Sequence, residues 1–523
     1  MTTQSVWVGG IWREADASAT FVAKNPATGA ELADVYPISK WSDCDAALDA
    51  AVEVARGLRK LSGEQLAVFL EAYASEIEAQ ADAIIVMANA ETGLPVSPRL
   101  QNVELPRTTT QLRQAAAAAR EGSWQQVVID TKNNIRSHFA PMGPVVVFGP
   151  NNFPFAFNGI SGGDFAAAIA TGCPVIAKAH PLHPGTSRLL ALCAERALQT
   201  SGLPAATVQM LYNIANENGL RLVSDPRVAA SSFTGSRGAG MSLKSAAERA
   251  GKLMYLEMSS LNPVVLLPGV VTERGDALAG ELADSCLAAA GQFCTSPNLV
   301  LTVAGDATEL FALRLADTLS MRPSGTILSE QGLKGLHESV KWLVDAGATV
   351  VTGAEPIEGD GWRYKNTLLR VSAKDFLFAK EKLQREAFGN ATLLVTADDV
   401  AELTEVLDSL EGNLTGSIYS SANGTDDAIY AAVAEALRPR VGRLLNDKMP
   451  TGVALSPAMN HGGPFPSTSH PGFTAVGIPR SLLRFGALHC YDSVREDRLP
   501  AALRDKSPLP TMWRTIDGAS IQG

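Results

Sequence analysis

An α/β fold with two parallel-sheet domains and a separate β-ribbon is what this sequence predicts, on three observations. From Gly143 to Leu256, short apolar runs of strand length alternate with stretches of helical spacing, the rhythm of repeated βαβ units. After Asn262-Pro263 a second run of the same kind opens with Val264-Val265-Leu266-Leu267 and continues through Val395 and Ile418. Between Gln125 and His138, Gln125-Gln126-Val127-Val128-Ile129-Asp130 and the polar stretch Thr131 to Asn134 break the helical rhythm and read as a ribbon or hairpin. At 523 residues the chain is too long for one core and suits two or three domains.

Taken in order, residues 5 to 35 read as short strands, with Gly9-Gly10 and Asn25-Pro26-Ala27-Thr28-Gly29 as turns. Ser42 followed by Asp45 resembles a capping box, and Ala46, Ala47, Ala50, Val52 and Ala55 continue at near-helical spacing. Helices are expected from there to Gly122, including the alanine run within Gln114 to Arg120, since alanine is the best helix former. The βαβ region then predicts strands at Pro144 to Phe148, Pro174 to Ala177, Val208 to Leu211, Val228 to Phe233 and Leu253 to Leu256. The helices between them are expected at Gly159 to Thr171, Gly185 to Leu198, Gly219 to Ser224 and Gly240 to Ala250. Near the end, His461-Gly462-Gly463-Pro464-Phe465-Pro466 with Ser467, Thr468 and Ser469 reads as a long loop shaping a substrate entrance, and Leu488 to Tyr491 as the last strand.

The totals exclude several classes of function. No apolar run approaches the length that spans a bilayer, and the first residues lack the basic patch and apolar stretch of an export signal, so the expectation is a cytoplasmic protein without a membrane partner. Net charge is −10 and no Lys/Arg cluster is interleaved with aromatics, which argues against nucleic acid. Six scattered cysteines without CxxC spacing suggest reduced thiols rather than a disulfide framework. Seven histidines include no HExxH and no carboxylate cluster at ligand spacing, so no metal is expected.

Four stretches carry chemistry. Gly291-Gln292-Phe293-Cys294-Thr295-Ser296-Pro297 presents a thiol in a Gly/Thr/Ser/Pro turn, away from the apolar setting that keeps most free cysteines inert, and makes Cys294 the candidate nucleophile. Glu257 directly follows an apolar strand end, where partial burial raises a carboxyl pKa and suits it to act as a base. Pro150-Asn151-Asn152-Phe153-Pro154 follows the strand ending at Phe148, at the sheet edge where ligands gather, and offers the Asn152 amide as a neutral donor. Phe233-Thr234-Gly235-Ser236-Arg237-Gly238-Ala239-Gly240 lies between strand and helix, so free amides around Gly235, Ser236 and Gly240 suit a pyrophosphate.

These motifs, with Lys178, Asn262-Pro263 and Glu386-Ala387-Phe388-Gly389, occur in the order found in aldehyde dehydrogenases, and the chain resembles that superfamily over most of its length. Gly162-Gly163-Asp164, Lys178-Ala179-His180-Pro181, His183 to Ser187 and His461 to Pro464 are most similar to the branch of α-ketoglutaric semialdehyde (2,5-dioxovalerate) dehydrogenases and bacterial fatty aldehyde dehydrogenases. The resemblance implies two Rossmann-type parallel-sheet domains plus a β-ribbon oligomerisation arm. The dinucleotide-binding domain would comprise residues 1–125 and 143–262, the catalytic domain 263–475, the arm 126–142 and 476–500, and a C-terminal tail 501–523. It implies NAD or NADP as cofactor, an aldehyde as substrate, and a homodimer or homotetramer. By the same analogy Cys294 forms a thiohemiacetal and then a thioester, Asn152 with the backbone N–H of Cys294 holds the oxyanion, and Glu257 activates water. Lys178 and Glu386 contact ribose, Phe388 lies against the nicotinamide, and Pro150 and His180 flank the cofactor. Pro181 stands where NAD-preferring relatives carry a glutamate and Asn216 where NADP-dependent ones carry an arginine, which leaves the cofactor preference open. Two alternatives remain: a CoA-acylating dehydrogenase, disfavoured by Glu257, and a cysteine hydrolase, disfavoured because no histidine sits in a recognisable partner motif.

Overall fold

In the computed structural model, which describes residues 3–507 and 509–523, the strands among the described residues form four sheets. From edge to edge the first contains Leu253–Glu257, Ala230–Thr234, Val145–Phe148, Val175–Lys178, Val208–Leu211, Val6–Val8 and Ile11–Arg13. The five strands from Leu253–Glu257 to Val208–Leu211 are parallel. Helices cover them, so Val145 to Phe148 is buried throughout and the strand reads as a continuous apolar run rather than an alternating one. The chain builds outward from Val145–Phe148 on one side, then returns to its other side with Ala230–Thr234. At that reversal a crevice opens beyond Phe148 and Thr234, which is where an open α/β sheet binds ligands.

The second large sheet runs Thr349–Thr352, Thr367–Ser372, Ala391–Ala397, Leu299–Val303, Val264–Leu266, Asn413–Tyr419 and Val441–Asn446, parallel except for the antiparallel edge Thr349–Thr352. Separate apolar clusters fill its two faces, one around Val265, Leu301 and Leu393, the other around Val264, Val300 and Leu394. Adjacent residues of one strand thus serve opposite cores, the period-2 consequence of the pleat. A small sheet of Ala17–Lys24, Glu31–Ser39 and Asn213–Ile214 flanks the first domain.

Three local expectations are corrected. The helix Trp41–Leu58 has no side-chain cap; Ser42 Oγ instead donates to Asp16 Oδ2 at 2.7 Å. The capping box is at Ser62 and Gln65, opening Gly63–Ala79. The helix expected from Gly159 starts at Gly163, because Asn158 builds a turn, its Oδ1 accepting from Ile160 N at 3.1 Å and its carbonyl from Gly162 N at 2.8 Å. The helix expected from Gly240 starts at Arg237, with Ser236 as its N-cap.

The largest correction is at the end of the chain. Leu488 to Tyr491 lies in a strand, Gly486–Asp492, but not the last one. Residues 501–523 are no tail, since they carry the hairpin Trp513–Ile516 and Ala519–Gln522. Trp513–Ile516 pairs in parallel with Val127–Asp130, making a five-stranded sheet with Ile135–Pro141 and Gly486–Asp492. Asp517-Gly518, both at positive φ, form its turn, a hairpin signal that was present in the sequence.

Candidate active site

The segment before Cys294 is shaped by backbone geometry. Helix Pro268–Leu287 gives way to three consecutive left-handed residues, Ala289 (φ 49°), Ala290 (φ 55°) and Gly291 (φ 71°). Only glycine fits the third place, because a Cβ at 291 would lie 2.1 Å from the Gly389 carbonyl oxygen. The Gln292 side chain staples the turn, donating to the Ala289 and Thr326 carbonyls at 3.0 Å and accepting from Leu328 N at 2.9 Å. Asn262 Nδ2 then donates to the carbonyls of Cys294 and Ser296, each at 2.9 Å, so the thiol is presented from a loop pinned on both sides. Of the six free cysteines, Cys44, Cys173, Cys193 and Cys286 are buried, Cys490 is exposed and Cys294 is half-buried, the state a nucleophile requires.

His461 Nε2 lies 3.4 Å from Cys294 Sγ and 3.0 Å from Glu257 Oε1. This histidine was visible in the sequence only as the start of a Gly/Pro loop and in no recognisable partner motif, yet the fold brings it to the thiol. No spacing rule could have found it, since 167 residues separate it from the cysteine. The loop itself is anchored to the sheet: Met258 N donates to the Ser467 carbonyl at 2.8 Å and Leu256 N to Ser469 Oγ at 3.0 Å, so residues 467–469 run along the sheet edge beside Glu257. Glu257, Cys294 and His461 bring three ligand-type atoms within 4.8 Å of one another, a cluster the sequence did not disclose.

Electrostatics around the sulfur follow from burial and charge. Burial and the adjacent Glu257 carboxylate hold the Cys294 thiol well above the ordinary thiol range, so it rests protonated and needs a proton acceptor within reach. For Glu257 the expected direction is corrected. Burial pushes its carboxyl up, but His461, by charge and hydrogen bond, outweighs that and leaves it below its ordinary value. Glu257 Oε2 is buried without a hydrogen-bond partner, leaving one carboxylate oxygen open to accept a proton.

Asn152 donates one amide hydrogen to the Gln292 carbonyl at 2.8 Å, which fixes the side chain against the nucleophile loop and leaves its second N–H unspent. Its backbone is held from outside the motif: Arg99 Nη2 donates to the Asn152 carbonyl at 3.0 Å, and Glu104 Oε1 accepts from Phe155 N at 2.8 Å and Ala156 N at 3.0 Å. Arg99 and Glu104 form a buried ion pair, and the Arg99 guanidinium stacks 4.3 Å above Phe153. Sequence reading missed both residues, because charges in a helical stretch look like a solvated face.

Pro150, Asn152, Gly235, Ser236, Glu257, Cys294, Glu386 and Phe388 line one cleft of about 330 Å³ at the sheet reversal. A contiguous groove of about 670 Å³ shares Ser236, Ser259, Ser339, Arg385 and Glu386 with it. Burial pushes the Glu386 carboxyl up to about 7, against hydrogen bonds from Ser259 and Ser260. Lys178, His180 and Gly240 are not in the lining. Lys178 ends its strand with its ammonium drawn down to about 8 by burial. His180 stacks on His183, ring centroids 5.4 Å apart, and its imidazole is held well below its ordinary value by burial. Gly240 serves packing, since a Cβ there would lie 3.1 Å from Met258 Sδ. Room, a helix N-terminus with unpaired amides at Arg237 and Gly238, and two carboxylates at the inner end fit a dinucleotide.

A dinucleotide groove that ends on a cysteine defines a dehydrogenase that holds its substrate covalently while hydride departs. Residues 12–458 match the aldehyde dehydrogenase family, and the chain belongs to it: an oxidoreductase that acts on aldehydes with NAD or NADP. It is 38% identical over 508 residues to alpha-ketoglutaric semialdehyde dehydrogenase 2 of Azospirillum brasilense, covering 95% of both chains. It is 33% identical to the alpha-ketoglutaric semialdehyde dehydrogenase of Acinetobacter baylyi, covering 92% of both. Among solved structures, lactaldehyde dehydrogenase from Escherichia coli superimposes with a TM-score of 0.81 at 21% identity, covering 94% of this chain and 98% of that one. The NAD+ complex of an aldehyde dehydrogenase from Bacillus cereus does so at 0.80 and 19% identity, covering 94% and 96%. No described helix is long and apolar enough to cross a membrane.

Proposed function

We propose that this enzyme oxidises a semialdehyde to the carboxylic acid through Cys294, with Asn152 as oxyanion donor, Glu257 as base for thiol and water, and His461 as the positioning residue whose Nε2–H holds that carboxylate beside the thiol. The observation that carries this assignment is the position of His461 Nε2, within 3.4 Å of the sulfur and 3.0 Å of the carboxylate. The two semialdehyde dehydrogenase relatives support the substrate class.

In this mechanism the Cys294 proton passes to the Glu257 carboxylate, and the sulfur forms a bond to the aldehyde carbon while the carbonyl electron pair moves to oxygen. The oxyanion accepts hydrogen bonds from the free N–H of Asn152 and from the backbone N–H of Cys294. Ser236, Glu386 and Phe388 would hold NAD or NADP, which would accept the hydride that leaves the thiohemiacetal carbon. Lys178 stands at the neighbouring strand end as a ribose contact, with Pro150 and His180 beside it. As the carbonyl re-forms, the adduct becomes a thioester on Cys294. Glu257 then takes a proton from water, the water oxygen attacks the thioester, and the C–S bond breaks to return the thiolate. A base at this point serves a water acceptor, which disfavours acyl transfer to CoA.

We further propose division into the domains given above, with residues 501–523 joined to the arm. The five-stranded sheet exposes Val128, Leu488, Trp513 and Ile521, apolar surface that a second copy would cover in a homodimer or homotetramer. The free cysteines support a reducing, cytoplasmic setting. The test is nicotinamide reduction with a panel of semialdehydes and simple aldehydes, with NAD and with NADP, and identification of the product. Free acid is expected; acyl-CoA formed only when CoA is added, or no reduction with any aldehyde, would overturn the reading.

A further inference from the structure

Among the described residues, one group of three side chains has the make-up of a metal site: Glu257, Cys294 and His461. A carboxylate oxygen, a sulfur and an imidazole nitrogen all lie within 4.8 Å of one another. Positions 257, 294 and 461 obey no ligand spacing, so no motif announces them. Zinc held tetrahedrally by sulfur at about 2.3 Å and by nitrogen and oxygen at about 2.1 Å sets S···N about 3.6 Å apart and N···O about 3.4 Å apart. His461 Nε2 stands 3.4 Å from Cys294 Sγ and 3.0 Å from Glu257 Oε1, nearly the spacing that an ion at their centre would impose.

Each ligand is held by groups outside the trio. His461 N donates to Thr474 Oγ1 at 2.7 Å, its carbonyl accepts from Ala475 N at 2.9 Å, and its ring packs 5.7 Å from that of Phe157. Glu257 ends the strand Leu253–Glu257, its carbonyl accepting from Gly235 N at 3.1 Å, and the Cys294 carbonyl accepts from Asn262 Nδ2. Metal binding therefore orders little that is not ordered already. A thiolate and a carboxylate together match the two positive charges of the ion, which offsets repulsion from Arg107 and Arg484, both within electrostatic reach. Glu257 Oε2, buried without a partner, gains a cation beside it. Thiolate and imidazole suit zinc, whereas magnesium and calcium need a shell of oxygens. Glu257 and Cys294 both line the cleft, so water from the cleft can take the fourth position.

We propose that Glu257, Cys294 and His461 form an inhibitory site for a soft divalent cation, zinc being the ion it fits, and that the bound ion masks the nucleophile reversibly. On binding, the Cys294 S–H bond breaks, its proton leaves to solvent and the sulfur electron pair bonds to the metal. His461 exchanges its Nε2 proton for one on Nδ1, which frees the Nε2 pair for the ion, so a single proton is released in all. Nothing is oxidised or reduced. The sulfur can then no longer add to a carbonyl and the carboxylate can no longer take a proton, so acylation and hydrolysis stop together. The site goes beyond the aldehyde chemistry proposed above, and its occupancy is read without turnover.

The experiment uses the full-length, chelator-treated enzyme, titrated with Zn²⁺ by calorimetry and with Co²⁺ by absorption spectroscopy. A single tight site per chain is expected, and cobalt should develop a thiolate charge-transfer band with the intense visible bands of a four-coordinate ion. Aldehyde-dependent nicotinamide reduction should fall in step with zinc occupancy, return on addition of EDTA and be unaffected by Mg²⁺. Glu257→Gln and His461→Asn should each weaken Zn²⁺ binding at least ~100-fold, and Cys294→Ser should lose the cobalt–thiolate band. Cys490→Ser, at the exposed thiol, should leave band and affinity unchanged. No band, a band that survives Cys294→Ser, or equal inhibition by Mg²⁺ would overturn the proposal. In the wild type, zinc should also shield Cys294 from iodoacetamide, with the alkylated residue located by mass spectrometry; that readout needs no variant to fold, and unchanged alkylation sinks the site. Should the wild type reduce no nicotinamide with any aldehyde, the parent reading fails, while the cobalt spectrum and the alkylation still decide the metal site.

Discussion

Cys294 separates two regions made in opposite ways. Toward the dinucleotide cleft the walls are strand ends, a helix N-cap and short side chains: Pro150, Gly235, Ser236, Ser259. Away from it the surroundings are rings and buried cations: Phe153, Phe157 and Phe293, with Arg99 over the first and Arg107 near the second. The difference teaches where each kind of recognition comes from. A cofactor shared by many enzymes is gripped by backbone at a sheet reversal, where the fold itself supplies the donors. A particular aldehyde has to be chosen by side chains.

Changes at the sulfur test the shared centre of both regions and should be largest. Cys294→Ser is expected to lower aldehyde-dependent nicotinamide reduction by at least ~10⁴-fold, while dinucleotide affinity, followed by fluorescence titration, stays near that of the wild type. Retained turnover would remove the nucleophile from the mechanism. Next comes Glu257→Gln, for which a loss of about 10²–10³-fold in steady state is expected, with a full burst of reduced nicotinamide in the first turnover. A burst lost along with the steady state would place Glu257 in the acylation step alone.

The same substitution sharpens the electrostatic side of the comparison. Because burial and the Glu257 carboxylate both raise the Cys294 pKa, alkylation by iodoacetamide should accelerate with pH beyond the range of an ordinary thiol. Removing the negative charge in Glu257→Gln should move that profile to lower pH, and an unmoved profile would mean the carboxylate does not act on the sulfur. His461→Asn is expected to reduce kcat/KM by about 10²-fold, with the pre-steady-state burst slowed. A normal burst rate would confine the imidazole to a structural role.

The smallest effects concern the loop that divides the regions. Gly291→Ala drives a methyl group into the Gly389 carbonyl and should cost about 2–3 kcal/mol in denaturant unfolding. Ala289→Gly, at φ 49°, relieves a left-handed alanine and should stabilise by ~0.5 kcal/mol after the added freedom of the unfolded chain is deducted. Equal signs for the two would show that the left-handed turn is not what sets the loop.

The parallel strands of the first sheet and the opening strand of the second were legible because they are short and largely buried, and Cys294, Glu257 and Asn152 because each follows a strand end or sits in a turn. The errors were at boundaries decided by one side chain, such as Asn158 holding a helix start back to Gly163. The terminal hairpin was missed although Asp517-Gly518 announced it, since its strands are half exposed and find their partner in Val127–Asp130.

By itself the sequence determined the alternation of strands and helices and the three groups whose chemistry depends only on following a strand end or a turn. Local pattern suffices there, because hydrogen bonding along the chain and burial of a period-2 or period-3.6 face are short-range effects. Tertiary structure decided the rest: that His461 meets the thiol from 167 positions away, that Glu257 ends below rather than above its ordinary pKa, and that Arg107 keeps two nitrogens free. Those facts are distances and dehydration between remote segments, and neither exists until the chain has closed on itself.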